Sequence, residues 1–188
     1  MSEAKAMWSP HPSWVRRLVQ EDGSLDHAFA ISVDGEPWSV ATNLHAMLLW
    51  RGENANEAWP HGDNAIFKRA QGSAVDLGRL LAWASVFGSD ETVCHRESPP
   101  ISFDLDGGGP YHGYRGCGAP VVSEGVCCGL PVNRALVARY IRGLPLDAEA
   151  TIAVHLDMLA IDSRYFLVRV MRLRDAKNVD PMLAEFRP

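Results

Sequence analysis

No stretch of the sequence approaches ~18 consecutive apolar residues, so a membrane-spanning helix is not expected. The opening MSEAKAMWSPHPSW lacks the basic start and apolar run of a secretory leader. The expectation is a cytoplasmic protein whose four cysteines are thiols or ligands rather than disulfide partners. No Cys-x-x-Cys pair occurs. No Lys-Ser/Thr follows Gly107-Gly108-Gly109, and Pro110 interrupts any helix start there, so a phosphate loop is not expected. Asp104 and Asp106 beside those glycines read as turn formers. Positive charge is also scarce. A formal net charge of −5 argues against indiscriminate coating of nucleic acid or anionic membrane, and leaves room for a local basic face.

What is present is ordinary for a globular chain: 47% hydrophobic and 22% charged residues, which excludes wholesale disorder. A length of 188 residues suits one domain that buries about 70% of its unfolded surface without metal or disulfide. Residues 1–12, with Pro10 and Pro12, read as a flexible lead. Ser13 caps an expected helix, Trp14–Glu21, with Trp14, Val15, Leu18 and Val19 on one face and Arg16 and Arg17 on the other. His27–Val33 alternates as a strand, Asp34-Gly35 is a hairpin turn, and Trp38–Trp50 returns with a bend at Ala41-Thr42-Asn43. Residues 51–63 read as a loop, and Val75–Phe87 as a second amphipathic segment. Thr92–Arg96, Ile101–Leu105 and Val121–Cys128 read as strands around the glycine-rich stretch 106–120.

The clearest stretch is Leu130–Leu173. Asn133 caps a helix that closes at Gly143 and Pro145, and two paired strands follow, Ala150–Leu156 and Tyr165–Leu173, with Asp162-Ser163 in the turn region between them. Residues 174–188 form a polar tail with an apolar cluster, Met182, Leu183 and Phe186, that folds back or docks on a second copy. The order helix-then-hairpin thus occurs twice, at Ser13–Trp50 and at Asn133–Leu173.

These two segments resemble half-domains of the DNA sliding clamps. The resemblance rests on Leu130-Pro131-Val132-Asn133 before the helix and Arg142-Gly143-Leu144-Pro145 after it. Asp34-Gly35 followed by Val40-Ala41-Thr42-Asn43-Leu44-His45 adds to it. It covers about half the chain. It implies an α+β fold of antiparallel sheets with amphipathic helices packed on one face. Residues 13–173 would form a single clamp-like domain with an insertion at about 51–128. It further implies a DNA-associated, self-assembling scaffold of the replication type, with no catalytic residues and no cofactor. Known clamp chains carry two or three such domains, and this one has room for one.

In clamps the helices present basic side chains to phosphates. At 100° per residue, Arg134, Arg139 and Arg142 span about 140° opposite the apolar arc of their helix. With Arg16 and Arg17 they are the expected DNA-binding residues; ordinary solvated arginines are the plain alternative. A clamp-like protein-interaction module without DNA is a second function. A zinc or thiol enzyme built on Cys94, His95, His112, Cys117 and Cys127 is a third, with no metal site expected in the leading interpretation. Cys127 and Cys128 would diverge if both lie in a strand. Trp50 and Trp59 flank a polar loop and are candidates for an interface.

Overall fold

A computed structural model describes residues 8–19, 24–52, 55–61, 65–85, 124–173 and 185–188. Two three-stranded antiparallel meanders dominate it. The first is β1 (Phe29–Val33), β2 (Glu36–Thr42) and β3 (Ala46–Arg51). Asp34 and Gly35, both at positive φ (52° and 79°), make the tight turn that the Asp-Gly pair predicts. The bend after β2 is held by side chains: Asn43 Oδ1 accepts from His45 N at 3.1 Å and Ala46 N at 3.0 Å. The second meander is β7 (Ala150–His155), β8 (Met158–Ser163) and β9 (Phe166–Met171).

The expected two strands at the C-terminal end are therefore three. The missed turn is Leu156-Asp157, at φ 49° and 65°. Leucine in the left-handed region is disfavoured by roughly 1–2 kcal/mol, so the pair announces a hairpin far less clearly than Asp34-Gly35 does. Asp162 consequently lies inside β8, not in a turn.

β3 and β9 pair antiparallel, Leu48 opposite Val168, joining the meanders into a seven-stranded sheet. Its order is β1-β2-β3-β9-β8-β7-β4, with β4 (Ser73–Val75) at the far edge. The repeated helix-then-meander unit is real. α1 (Pro12–Val15) precedes the first meander, and α3 (Arg134–Ile141) precedes the second. α1 is shorter than expected. Pro12 sits in its first turn and His11 caps it, so it starts early and gives way to turns at Arg16–Leu18. A smaller sheet, β10-β5-β6, joins β5 (Glu124–Cys127) antiparallel to β6 (Leu130–Asn133) and parallel to β10 (Glu185–Phe186).

The strands of the large sheet are apolar on both faces, because both are covered. One face, with Leu48, Trp50, Ile161, Phe166 and Val168, packs beneath α3, α2 (Leu77–Ala84) and the small sheet. The other, with Trp38, Val40, Met47, Leu49 and Leu167, is covered by Trp59, Ile66 and Phe67 from the segments at 55–61 and 65–70. Trp50 and Trp59 are thus buried in opposite cores, not at an interface. Within the expected insertion, β4 joins the large sheet and α2 packs on α3. The α-helices do lie on one face, as the α+β expectation has it; the cover on the second face comes from loops and a single 3-10 turn, Ala65–Phe67, too short to carry a periodic signal.

The tail folds back on its own body. Phe186 is buried, 5.6 Å from the Trp83 ring, with the Arg79 guanidinium over it at 6.0 Å. Phe186→Ala is expected to lower the unfolding free energy by about 3 kcal/mol, at the low end for this truncation because an edge site can collapse. Urea denaturation measures it, and an unchanged midpoint would mean the tail contributes nothing. Met182 and Leu183 lie outside the described residues.

Candidate nucleic-acid interface

α3 begins where the sequence predicts. Asn133 Oδ1 accepts from Ala135 N at 3.1 Å and Leu136 N at 3.4 Å. Its surroundings differ from the expected helix with one apolar and one basic side. Six of its eight residues are buried, Arg134 among them. The arc argument assumes a helix with one covered side, whereas α3 is a middle layer between the large sheet, α2 and the N-terminal segment.

Arg134 is the correction to the expected DNA-binding set. It is 2% exposed, its guanidinium donates to the Trp83 carbonyl, and it sits 4.8 Å from the Trp83 ring centroid. Gly125 makes room for it: a Cβ there would lie 2.5 Å from Arg134 Cδ. Burial pulls its pKa below the ordinary arginine value. A phosphate has no route to this side chain; its work is to tie α3 to α2 and β5.

The other four arginines lie on two segments that dock on each other. The N-terminal segment docks on the C-terminal half of α3. Trp14 Nε1 donates to the Arg139 carbonyl at 3.1 Å. The Tyr140 hydroxyl donates to the Leu18 carbonyl at 2.6 Å, and burial pushes that hydroxyl above its ordinary pKa. Gly143 lies against the Trp14 ring, where a Cβ would come within 2.4 Å of Trp14 Cδ2. Arg16 and Arg17 lie between the two docking residues Trp14 and Leu18. Arg139 and Arg142 belong to the helix end they dock on. Arg16, Arg17 and Arg142 are exposed and Arg139 is half-buried. None of the four forms an ion pair among the described residues, whereas Arg51, Arg169, Arg172 and Arg187 all do.

Sequence reasoning missed Trp14, Tyr140 and Gly143, which assemble this patch. Gly143 was legible only as a helix terminator. Its small size is used for close approach to an indole, a tertiary role with no local signal.

Of the residues named for the metal or thiol alternative, only Cys127 is among the described ones. Cys94, His95, His112, Cys117, Asp104, Asp106 and the glycine run lie outside the described residues, as do the strands expected at Thr92–Arg96 and Ile101–Leu105. Cys127 is fully buried in the core, and burial pushes its thiol well above the ordinary value, opposite to what a nucleophile or ligand needs. Cys128 leaves the strand at φ 53°, so the two thiols hydrogen-bond instead of diverging. Among the described residues no cluster of three metal-ligating side chains occurs.

No family model matches the chain, and no curated protein or solved structure is found to match it. Among the described residues no helix is long and apolar enough to cross a membrane. Fold and surface together define an antiparallel α+β protein with a candidate basic patch at the junction of its N-terminal segment and α3.

Proposed function

We propose that the chain is a non-catalytic, DNA-associated scaffold of sliding-clamp-like build that self-assembles and serves DNA replication. The observation that carries this reading is that Arg16 and Arg17 lie on a segment docked on the helix end that carries Arg139 and Arg142, four arginines without ion-pair partners among the described residues. Guanidinium groups with no ion-pair partner among the described residues, on a chain of net charge −5, attract a polyanion locally while acidic surface repels it. The order β6-α3-β7-β8-β9, a short strand, a helix and antiparallel strands, agrees with the half-domain that the clamp resemblance implies. The exposed apolar pair Val154 and Leu156 at the β7–β8 hairpin offers a surface to a second copy.

Duplex DNA binding measured across a salt series tests the proposal. Four phosphate contacts predict a slope of log K against log salt of about −3.6 per protomer. The double change Arg139→Glu and Arg142→Glu is expected to abolish the binding. No affinity at low salt, or a slope indifferent to that change, would remove the DNA role. Light scattering reports self-assembly separately. A stable oligomer with no DNA affinity would favour the interaction-module reading.

A further inference from the structure

Both ring nitrogens of His27 face carboxylates. Nδ1 lies 2.6 Å from Asp26 Oδ1, and Nε2 lies 3.0 Å from Glu57 Oε2. An ionised carboxylate only accepts hydrogen bonds, and a neutral imidazole has one N–H to give. Only the doubly protonated ring satisfies both contacts. The ring also packs on Phe29, with centroids 4.2 Å apart, at the start of β1.

Glu57 belongs to the segment that closes the outer edge of β1. Ala30 N donates to the Glu57 carbonyl at 2.6 Å, and Trp59 N donates to the Ala30 carbonyl at 2.8 Å. Trp59 inserts between Phe29 at 5.6 Å and Phe67 at 5.9 Å. Two residues further along β1, Ser32 faces the same side. A groove of about 450 Å³ runs there, lined by Ala30, Ile31, Ser32 and Ala55 of that same segment. The covered length of sheet edge is therefore one bridge long, and His27 is the side chain that pins it from outside.

We propose that His27 is a pH-sensitive latch that holds segment 55–59 on the open edge of the seven-stranded sheet. Protonated, it ties Glu57 to Asp26 across the strand start. Neutral, it gives up one of the two carboxylates, and the segment lifts from Ala30 and exposes the backbone of the edge strand. Among the described residues the groups facing the ring are Asp26 and Glu57, and His61 packs against Trp59 at 5.2 Å. The Asp26 hydrogen bond, aided by Glu57 against a small desolvation effect, holds the His27 pKa above its ordinary value. The latch is therefore complete below about pH 6.5 and is lost as pH rises through the higher folded value. His45 works in the opposite direction, since burial lowers its pKa and its stabilising effect fades as pH falls. A global unfolding measurement would mix the two, so the readout must be local.

The test is amide exchange and histidine NMR on the full chain between about pH 5.5 and 8.5, a window that brackets the ordinary imidazole pKa. Protection at Ala30 and Trp59, corrected for intrinsic exchange, is expected to fall about three- to fivefold as His27 deprotonates, the scale of an exposed ion pair. Val40, in the centre of the sheet, is expected not to change. His27→Gln is expected to remove the step, and Glu57→Gln to shrink it and lower the His27 titration. An ordinary or depressed His27 titration would overturn the latch. So would pH-independent protection at Ala30, or an equal step in His27→Gln.

Discussion

Replacing Arg169 with leucine is expected to lower the unfolding free energy by about 5 kcal/mol, the upper end for breaking a buried ion pair. Arg169 is 1% exposed and lies on β9 facing the loop-covered side of the sheet. Its guanidinium pairs with Asp162 on β8 through both nitrogens of the fork. The remaining donors are also used: Nε to the Ile66 carbonyl at 3.0 Å, Nη1 to the Val168 carbonyl at 2.9 Å, and Nη2 to the Lys68 carbonyl at 2.8 Å. All five N–H groups of an arginine are thereby satisfied. Asp162 Oδ2 accepts in addition from Ala70 N at 2.6 Å. The pair is thus the staple that fixes the segment at 65–70 to the sheet, and with it Ile66 and Phe67 of the second core.

The loss in Arg169→Leu has two parts. Asp162 is left as a buried charge with one backbone donor, and two loop carbonyls lose their partner. Arg169→Lys keeps the charge but supplies three donors from a point, so it recovers only part of the loss. Changing Asp162 and Arg169 together to leucine removes the stranded charge, and is expected to be less damaging than Arg169→Leu alone. Urea denaturation of the three variants checks this. A single variant within about 1 kcal/mol of the parent would mean the pair is solvated in solution, as exposed bridges are.

The difference between what was legible and what was not follows from the range of the interactions. Asp34-Gly35, Asn43 and Asn133 act on backbone within a few residues, and their turns and cap are where the sequence predicts. The antiparallel pairing and the repeated order of a helix followed by strands were legible for the same reason, though the second repeat was read as two strands and has three. Leu156-Asp157 offers turn chemistry only at its second residue, so the hairpin it makes is dictated by the pairing of β7 with β8, from Ile152 opposite Ile161 to His155 opposite Met158. The alternation in Phe166–Met171 is masked because both faces are buried, and Arg169 among valines and leucine reads by pattern as a solvent-facing position, although it is buried. Of the candidate site, four of the five arginines lie on the two docked segments and keep some exposure. Arg134 does not, because helical periodicity reports which residues share a face and not how many faces a helix buries.

Gly143→Val is expected to weaken DNA binding on the order of 10–50-fold at moderate salt without touching any arginine, if the patch acts as one surface. The new Cβ would sit 2.4–2.7 Å from three carbons of the Trp14 ring. A rigid indole cannot give by that much, so Trp14 must leave, and its Nε1 bond to the Arg139 carbonyl goes with it. Overpacking of this kind costs about 1–3 kcal/mol and loosens an N-terminal segment that is otherwise held by buried Leu18, the Tyr140–Leu18 bond and Trp8 against Phe166. Arg16 and Arg17 would then shift relative to Arg139 and Arg142. The salt slope should become shallower by about 1.8, the share of two phosphate contacts. Arg16→Gln with Arg17→Gln should reproduce that slope with no loss of stability. Arg134→Met should do the reverse, destabilising the fold while leaving the slope alone. If Gly143→Val destabilises the protein yet keeps the parent slope, the two segments do not share a ligand, and the basic patch reduces to separate surface arginines.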